Sequence, residues 1–124
     1  MTAFETRQIH EGQTPDSDTG ARALPIYQTT SFVFNDAQIA ADRFALKDLG
    51  PVYSRLANPT VQAVEERIAS LEGGVGAVLT ASGQAAAFLA IINIAGAGDH
   101  VVASPSLYGG TYNPVSYTHL RAHE

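Results

Sequence analysis

The chain has no cysteine, no tryptophan, one methionine and, among its 124 residues, a single lysine, Lys47. Without cysteine there is no disulfide framework, no thiolate metal site and no cysteine nucleophile. Positive charge is scarce: seven Lys and Arg stand against twelve Asp and Glu, a formal charge of −5, and the basic residues form no cluster. That balance argues against a nucleic-acid footprint and against a patch for anionic membranes. Long apolar runs are missing too. The longest, Ala85–Ile92, is far too short to cross a bilayer. The N-terminus has no apolar stretch behind a positive start, so it does not read as a signal peptide. The expected setting is cytoplasmic, with neither nucleic acid nor membrane as partner.

What is present is 45% hydrophobic, one domain's worth of chain with several distinct regions. The first 34 residues show little periodicity, and Gly12–Leu24 has the composition of a surface loop or arm. Ile26–Phe34 is β-branched and aromatic and reads as extended chain. Such an arm gains little by ordering on itself and is expected to lie on something, often a second subunit. From Asn35, an expected N-cap, Ala37, Ala40, Ala41 and Phe44 recur at helical spacing, and Gly50-Pro51 is expected to stop that helix. A second helix is expected from Asn58-Pro59-Thr60 to Gly73-Gly74, with Val61, Val64, Ile68 and Leu71 as its apolar face and Glu65, Glu66 and Arg67 in solvent. Val75–Thr80 reads as a buried strand, Gln84–Ala95 as a buried helix and His100–Ala103 as a second strand, which together make a βαβ unit. Pro114–Glu124 loses all periodicity and resembles translated vector sequence. It is set aside from the fold, and its His119/His123 pair is not read as a metal site because no third ligand accompanies it.

Three places could carry chemistry. The turn Thr80-Ala81-Ser82-Gly83-Gln84 joins a strand's end to a helix N-terminus, where free N–H groups and the helix dipole favour an anion. Taken alone, plain capping by Ser82 explains it better. A nucleophile elbow would need glycine at position 80, and a dinucleotide fingerprint would need its glycines after the strand. Tyr53-Ser54-Arg55 could turn a phenol and a guanidinium toward one phosphate or carboxylate, although a surface arginine would read the same way. Tyr108, before Gly109-Gly110, is expected to be exposed on a flexible backbone and could cover a planar ligand or simply pack locally. His10 and His100 read as structural. Together the three places suggest a planar, phosphorylated ligand.

At these residues the chain resembles the N-terminal part of the Cys/Met-metabolism family of pyridoxal-phosphate enzymes, and within it the O-acetylhomoserine sulfhydrylases. The matching segments are TGARALPIYQTTSFVF, FALKDLGPVYSRLANPT, RIASLEGGVGAVLTASGQAA and GDHVVASPSLYGGTYN, which run in order over residues 5–113. The resemblance implies an α/β chain, part of the fold-type-I aminotransferase-like fold: an N-terminal arm and inter-subunit segment (1–59), then the start of the cofactor-binding domain (60–113) with the first βαβ of a mainly parallel sheet. It implies a homotetramer of tight dimers. Gly83 and Gln84 would give backbone N–H groups to the phosphate of pyridoxal 5'-phosphate, with Ser82 shaping the turn. Tyr53 and Arg55 would hold the phosphate of a neighbouring subunit's cofactor, and Tyr108 would stack on the ring and move a proton.

The implied reaction is γ-replacement: O-acetyl-L-homoserine and sulfide, or a thiol, give homocysteine and acetate. The family's Schiff-base lysine and the aspartate that pairs with the ring nitrogen lie later than these residues. Lys47 aligns with a non-catalytic lysine and is not assigned that role. The 124 residues are therefore expected to be about the first third of an enzyme, inactive alone, with exposed apolar surface. Cystathionine γ-synthase or γ-lyase is the alternative within the family, although methionine γ-lyases tend to carry cysteine where this chain has Gly110. A non-catalytic module with only a binding or assembly role is the alternative outside it.

Overall fold

A computed structural model describes residues 3–112, and the expectations for Pro114–Glu124 lie outside them. The helices run α1 (Phe4–His10), α2 (Ala37–Phe44), α3 (Pro59–Glu72) and α4 (Gly83–Ile92). The chain divides into two compact units between Val78 and Leu79.

In the first unit α3 follows the local signals. Asn58 caps it by accepting from Thr60 N–H, Pro59 opens it, and Gly73 closes it in the left-handed conformation at φ 69°. The expected apolar face is not what it buries. Val61, Val64 and Ile68 remain about 40% exposed, while Ala63 and Ala69 are buried. Small residues are used because α1, which the aperiodic N-terminus did not suggest, packs on α3. Two arginines tie the segments together. Arg7 donates to the carbonyl of Ser70, and Arg67 donates to Glu11 O at 2.8 Å and to Gln13 Oε1 at 3.0 Å. Arg67 is thus half-buried and engaged, not one of a solvated Glu-Glu-Arg run.

α2 is capped by Asp36, not Asn35: the Asp36 carboxylate accepts from Ile39 N–H at 2.8 Å. The helix ends at Phe44, before Gly50-Pro51, because Leu46 turns into the left-handed region at φ 56° and Lys47 N–H returns to Asp42 O. Arg43 stitches the following loop, donating to Asp48 Oδ2 at 2.9 Å and to Pro51 O at 2.9 Å.

These loops predict an acid response. The hydrogen bond from Arg43, aided by Gly50 N–H, holds the Asp48 carboxyl below its ordinary value of 3.8. Asp16 is lowered likewise, chiefly by Thr19 N–H and then by the Thr19 hydroxyl. A carboxyl depressed on folding adds stability above pH 3.8 and loses it as pH falls through the folded value. Amide exchange at Gly50 and Thr19, corrected for its intrinsic pH dependence, is therefore expected to accelerate at pH 3 relative to pH 6. Unchanged protection would refute this.

In the second unit α4 begins as expected, with Ser82 Oγ accepting from Ala85 N–H at 3.1 Å. It ends at Ile92 rather than at Ala95 and is not buried: Phe88 is 39% and Leu89 48% exposed. Neither Val75–Thr80 nor His100–Ala103 is paired as a strand; among the described residues β-pairing is limited to an antiparallel bridge between Ser31 and Tyr53. A parallel strand needs a neighbour in register and an apolar helix needs a covering layer. Val75, Val78 and Val102 stand exposed. No helix among the described residues is long and apolar enough to cross a membrane.

Candidate cofactor site

In the first unit the arm and the 52–55 segment run alongside each other. Phe32 N–H donates to Val52 O at 3.2 Å and Ser54 N–H to Thr30 O at 2.9 Å, on either side of the Ser31–Tyr53 bridge. After the bridge the chain turns, because the Leu56 and Ala57 N–H groups both return to Tyr53 O. Ser54 faces the arm, where its hydroxyl donates to Thr29 O. Tyr53 and Arg55 are exposed, and the structure brings them together, with the guanidinium 5.6 Å from the centre of the phenol ring. That contact keeps a cation and a phenol hydroxyl on one surface, a donor pair suited to a phosphate.

Behind this pair sits Asn58, the buried polar residue of the described chain at 8% exposure. Its Nδ2 donates to Tyr27 O at 2.9 Å and to Ser54 Oγ at 3.0 Å. Thr60 Oγ1 donates to Pro25 O and accepts from Tyr27 N–H. The sequence shows Asn58 only as a cap. Nothing local marks its second set of partners, since Tyr27 lies 31 residues away.

In the second unit the end of α4 presents the other expected residues. The first N–H groups of a helix have no intrahelical acceptor. Ser82 Oγ takes that of Ala85, which leaves those of Gly83 and Gln84 available to a ligand. A Cβ built on Gly83 meets nothing within 4 Å, so the approach to this backbone is open. The Gln84 side chain reaches residues 106–112, where its Nε2 donates to Gly110 O at 2.8 Å. Tyr108 is 78% exposed. Its segment is a helical turn rather than a loose loop, because Thr111 and Tyr112 N–H groups both return to Tyr108 O. Among the described residues no group of His, Asp and Glu could hold a metal ion.

In the second unit the open helix N-terminus with its unclaimed N–H groups suits a phosphate and the exposed Tyr108 ring a planar ligand, and in the first unit the Arg/Tyr pair by itself suits a phosphate. The model for Cys/Met-metabolism pyridoxal-phosphate-dependent enzymes matches residues 5–123. The chain belongs to this family. Among the relatives of this family member is the O-acetyl-L-homoserine sulfhydrylase of Corynebacterium glutamicum, 69% identical over 108 residues, which are 87% of this chain and 25% of that protein. A Campylobacter jejuni protein assigned as an O-acetylhomoserine (thiol)-lyase, solved with N'-pyridoxyl-lysine-5'-monophosphate, superposes with a TM-score of 0.90 at 42% identity, over 95% of this chain and 29% of that one. Cystathionine γ-lyase of Lactobacillus plantarum, solved with L-serine, gives 0.77 at 35% identity, over 94% of this chain and 28% of that one. The chain therefore spans about a quarter of the length of the curated relatives it matches. Its fold is part of fold type I and its family's cofactor is pyridoxal phosphate. Each unit by itself carries groups that fit that cofactor chemically: the free Gly83 and Gln84 N–H donors and the Tyr108 ring in the second, and the Arg55 cation with the Tyr53 phenol in the first.

Proposed function

We propose that these residues serve a pyridoxal-phosphate-dependent γ-replacement, in which O-acetyl-L-homoserine and sulfide or a thiol give homocysteine and acetate. The observation that carries this reading is the 69% identity to a sulfhydrylase across nearly the whole chain. The γ-lyase alternative is supported less, since the lyase structure matches with a TM-score of 0.77 against 0.90 for the thiol-lyase.

Bound pyridoxal phosphate supplies an electron sink for the carbons of the amino acid. The chain's own residues do the rest. Gly83 and Gln84 N–H groups receive the phosphate at the positive end of α4, and Ser82 keeps that turn formed by holding Ala85 N–H. Tyr53 and Arg55 grip the phosphate of a neighbouring subunit's cofactor, within a homotetramer of tight dimers in the cytoplasm. Tyr108 covers the ring, and its Oη relays a proton during loss of acetate. Lys47, on the turn after α2 with its N–H returned to Asp42 O, takes no part. As the only lysine of these 124 residues it leaves them inactive when supplied alone.

The test uses full-length protein carrying residues 1–112, loaded with pyridoxal phosphate and given O-acetylhomoserine with either sulfide or cysteine. Homocysteine formed preferentially with sulfide is expected. Preferential use of cysteine would establish the γ-synthase reading instead, and failure to take up the cofactor would leave only a binding or assembly role.

A further inference from the structure

We propose that Asn58 is a positioning residue that sets the Tyr53–Arg55 pair through Ser54, beyond its work as a helix cap. This rests on the reading above, in which that pair holds a cofactor phosphate. A cap uses one atom of an asparagine, the Oδ1 that accepts from Thr60 N–H at 2.9 Å. Here the two Nδ2 hydrogens are used as well, one on Tyr27 O and one on Ser54 Oγ. Keeping a polar side chain at 8% exposure is costly unless its groups are satisfied, and Asn58 is satisfied by three different stretches of chain.

The consequence follows from where Ser54 lies, inside the turn that the Leu56 and Ala57 N–H groups close on Tyr53 O and between Tyr53 and Arg55. Ser54 is held inward by Asn58 on one side, by Thr29 O through its hydroxyl and by Thr30 O through its N–H. With Ser54 anchored in this way the turn that carries Tyr53 and Arg55 is anchored too, and their exposed side chains meet at 5.6 Å. The side chain of Asn58 thus converts the start of α3 into a fixed reference for the clamp. Phosphate binding by a flexible arginine loses affinity to ordering, and a segment already ordered avoids that loss.

The variant Asn58→Asp separates the two roles. Aspartate keeps the acceptor for Thr60 N–H and suits the helix dipole, but has no donor for Tyr27 O or Ser54 Oγ. A residue that only caps would tolerate it. Ser54→Ala breaks the same link without adding charge, and Ser54→Thr restores the hydroxyl.

In full-length protein titrated with pyridoxal phosphate, Asn58→Asp is expected to weaken uptake about tenfold and Ser54→Ala by about threefold to tenfold, with Ser54→Thr near wild type. Arg55→Ala calibrates the clamp and should weaken uptake more. Independently of the cofactor, exchange of the Ser54 amide should accelerate in Asn58→Asp. If both Asn58→Asp and Ser54→Ala bind like wild type while Arg55→Ala does not, the positioning role falls and the cofactor reading stands. If wild type takes up no cofactor, or Arg55→Ala is silent, the cofactor reading falls. Ser54 exchange then decides alone whether Asn58 holds this segment: unchanged protection overturns the proposal and faster exchange upholds it.

Discussion

Replacing Gly12 with alanine is expected to destabilise the first unit by about 2–4 kcal/mol, the sum of a conformational and a steric cost. Gly12 sits at φ 75°, where an L side chain is strained. A Cβ there would also collide with the carbonyl oxygen of Ala63 and lie 3.1 Å from Arg67 N. These are backbone atoms of α3 and cannot retreat without moving the helix. The clash falls at the crossing that Arg67 closes by donating to Glu11 O and Gln13 Oε1. The two costs can be separated within this chain. Gly20 has a similar φ of 69° but no atom within 4 Å of a built Cβ. Gly20→Ala should therefore show only the conformational cost, about 1 kcal/mol. Urea unfolding of the two variants beside wild type measures the difference. Equal losses would mean that the Gly12 backbone does not lie this close to α3.

Gly110→Ala is expected to lower kcat/KM of the full-length enzyme by tenfold to a hundredfold, on the order of the cost of a small misplacement of a reacting group. A Cβ at Gly110 would intrude on the Gln84 amide and stand 2.7 Å from Tyr108 Cε1. The glutamine is flexible and can give way, at the cost of its 2.8 Å bond to Gly110 O. The tyrosine ring, proposed to cover the cofactor, must shift as well. Helix propensity points the other way, since alanine in the turn at 109–112 should be favoured over glycine. Gly109→Ala is the control, because nothing lies within 4 Å of its built Cβ, and it should leave the rate within about twofold. A Gly110→Ala enzyme with unaltered kinetics would show that Tyr108 is not held where its ring matters.

The family itself was legible in the sequence because its segments recur in order over nearly the whole chain, and the family model matches residues 5–123. So were α3 and the turn at Ser82. Their signals lie within one helical turn of where they act: Asn58 and Pro59 before the first bonds, Gly73 at the left-handed close, Ser82 three residues from Ala85. Near-neighbour chemistry of this kind needs no tertiary information. Asn35 and Asp36 are equally good caps by residue type, and only the backbone decides that the Asp36 carboxylate meets Ile39 N–H.

The rest depended on partners far away in sequence. Arg67 reads as one charge in a solvated run until Glu11 and Gln13, 56 and 54 residues away, are brought against it. Asn58 reads as a cap until Tyr27 O and Ser54 Oγ arrive. The apolar character of α4 and of Val75–Thr80 was clear from composition, but burial and strand pairing belong to layers, not to segments. By itself, then, the sequence determined the family, the helix signals near their ends and the residue types suited to a phosphate. The tertiary structure decided which side of α3 is buried, which arginines hold the arm and which side chain bonds Ser54 between Tyr53 and Arg55. The physical reason is range: a cap is specified by bonds between near neighbours, whereas a clamp exists only where separate stretches of chain satisfy one another's polar groups.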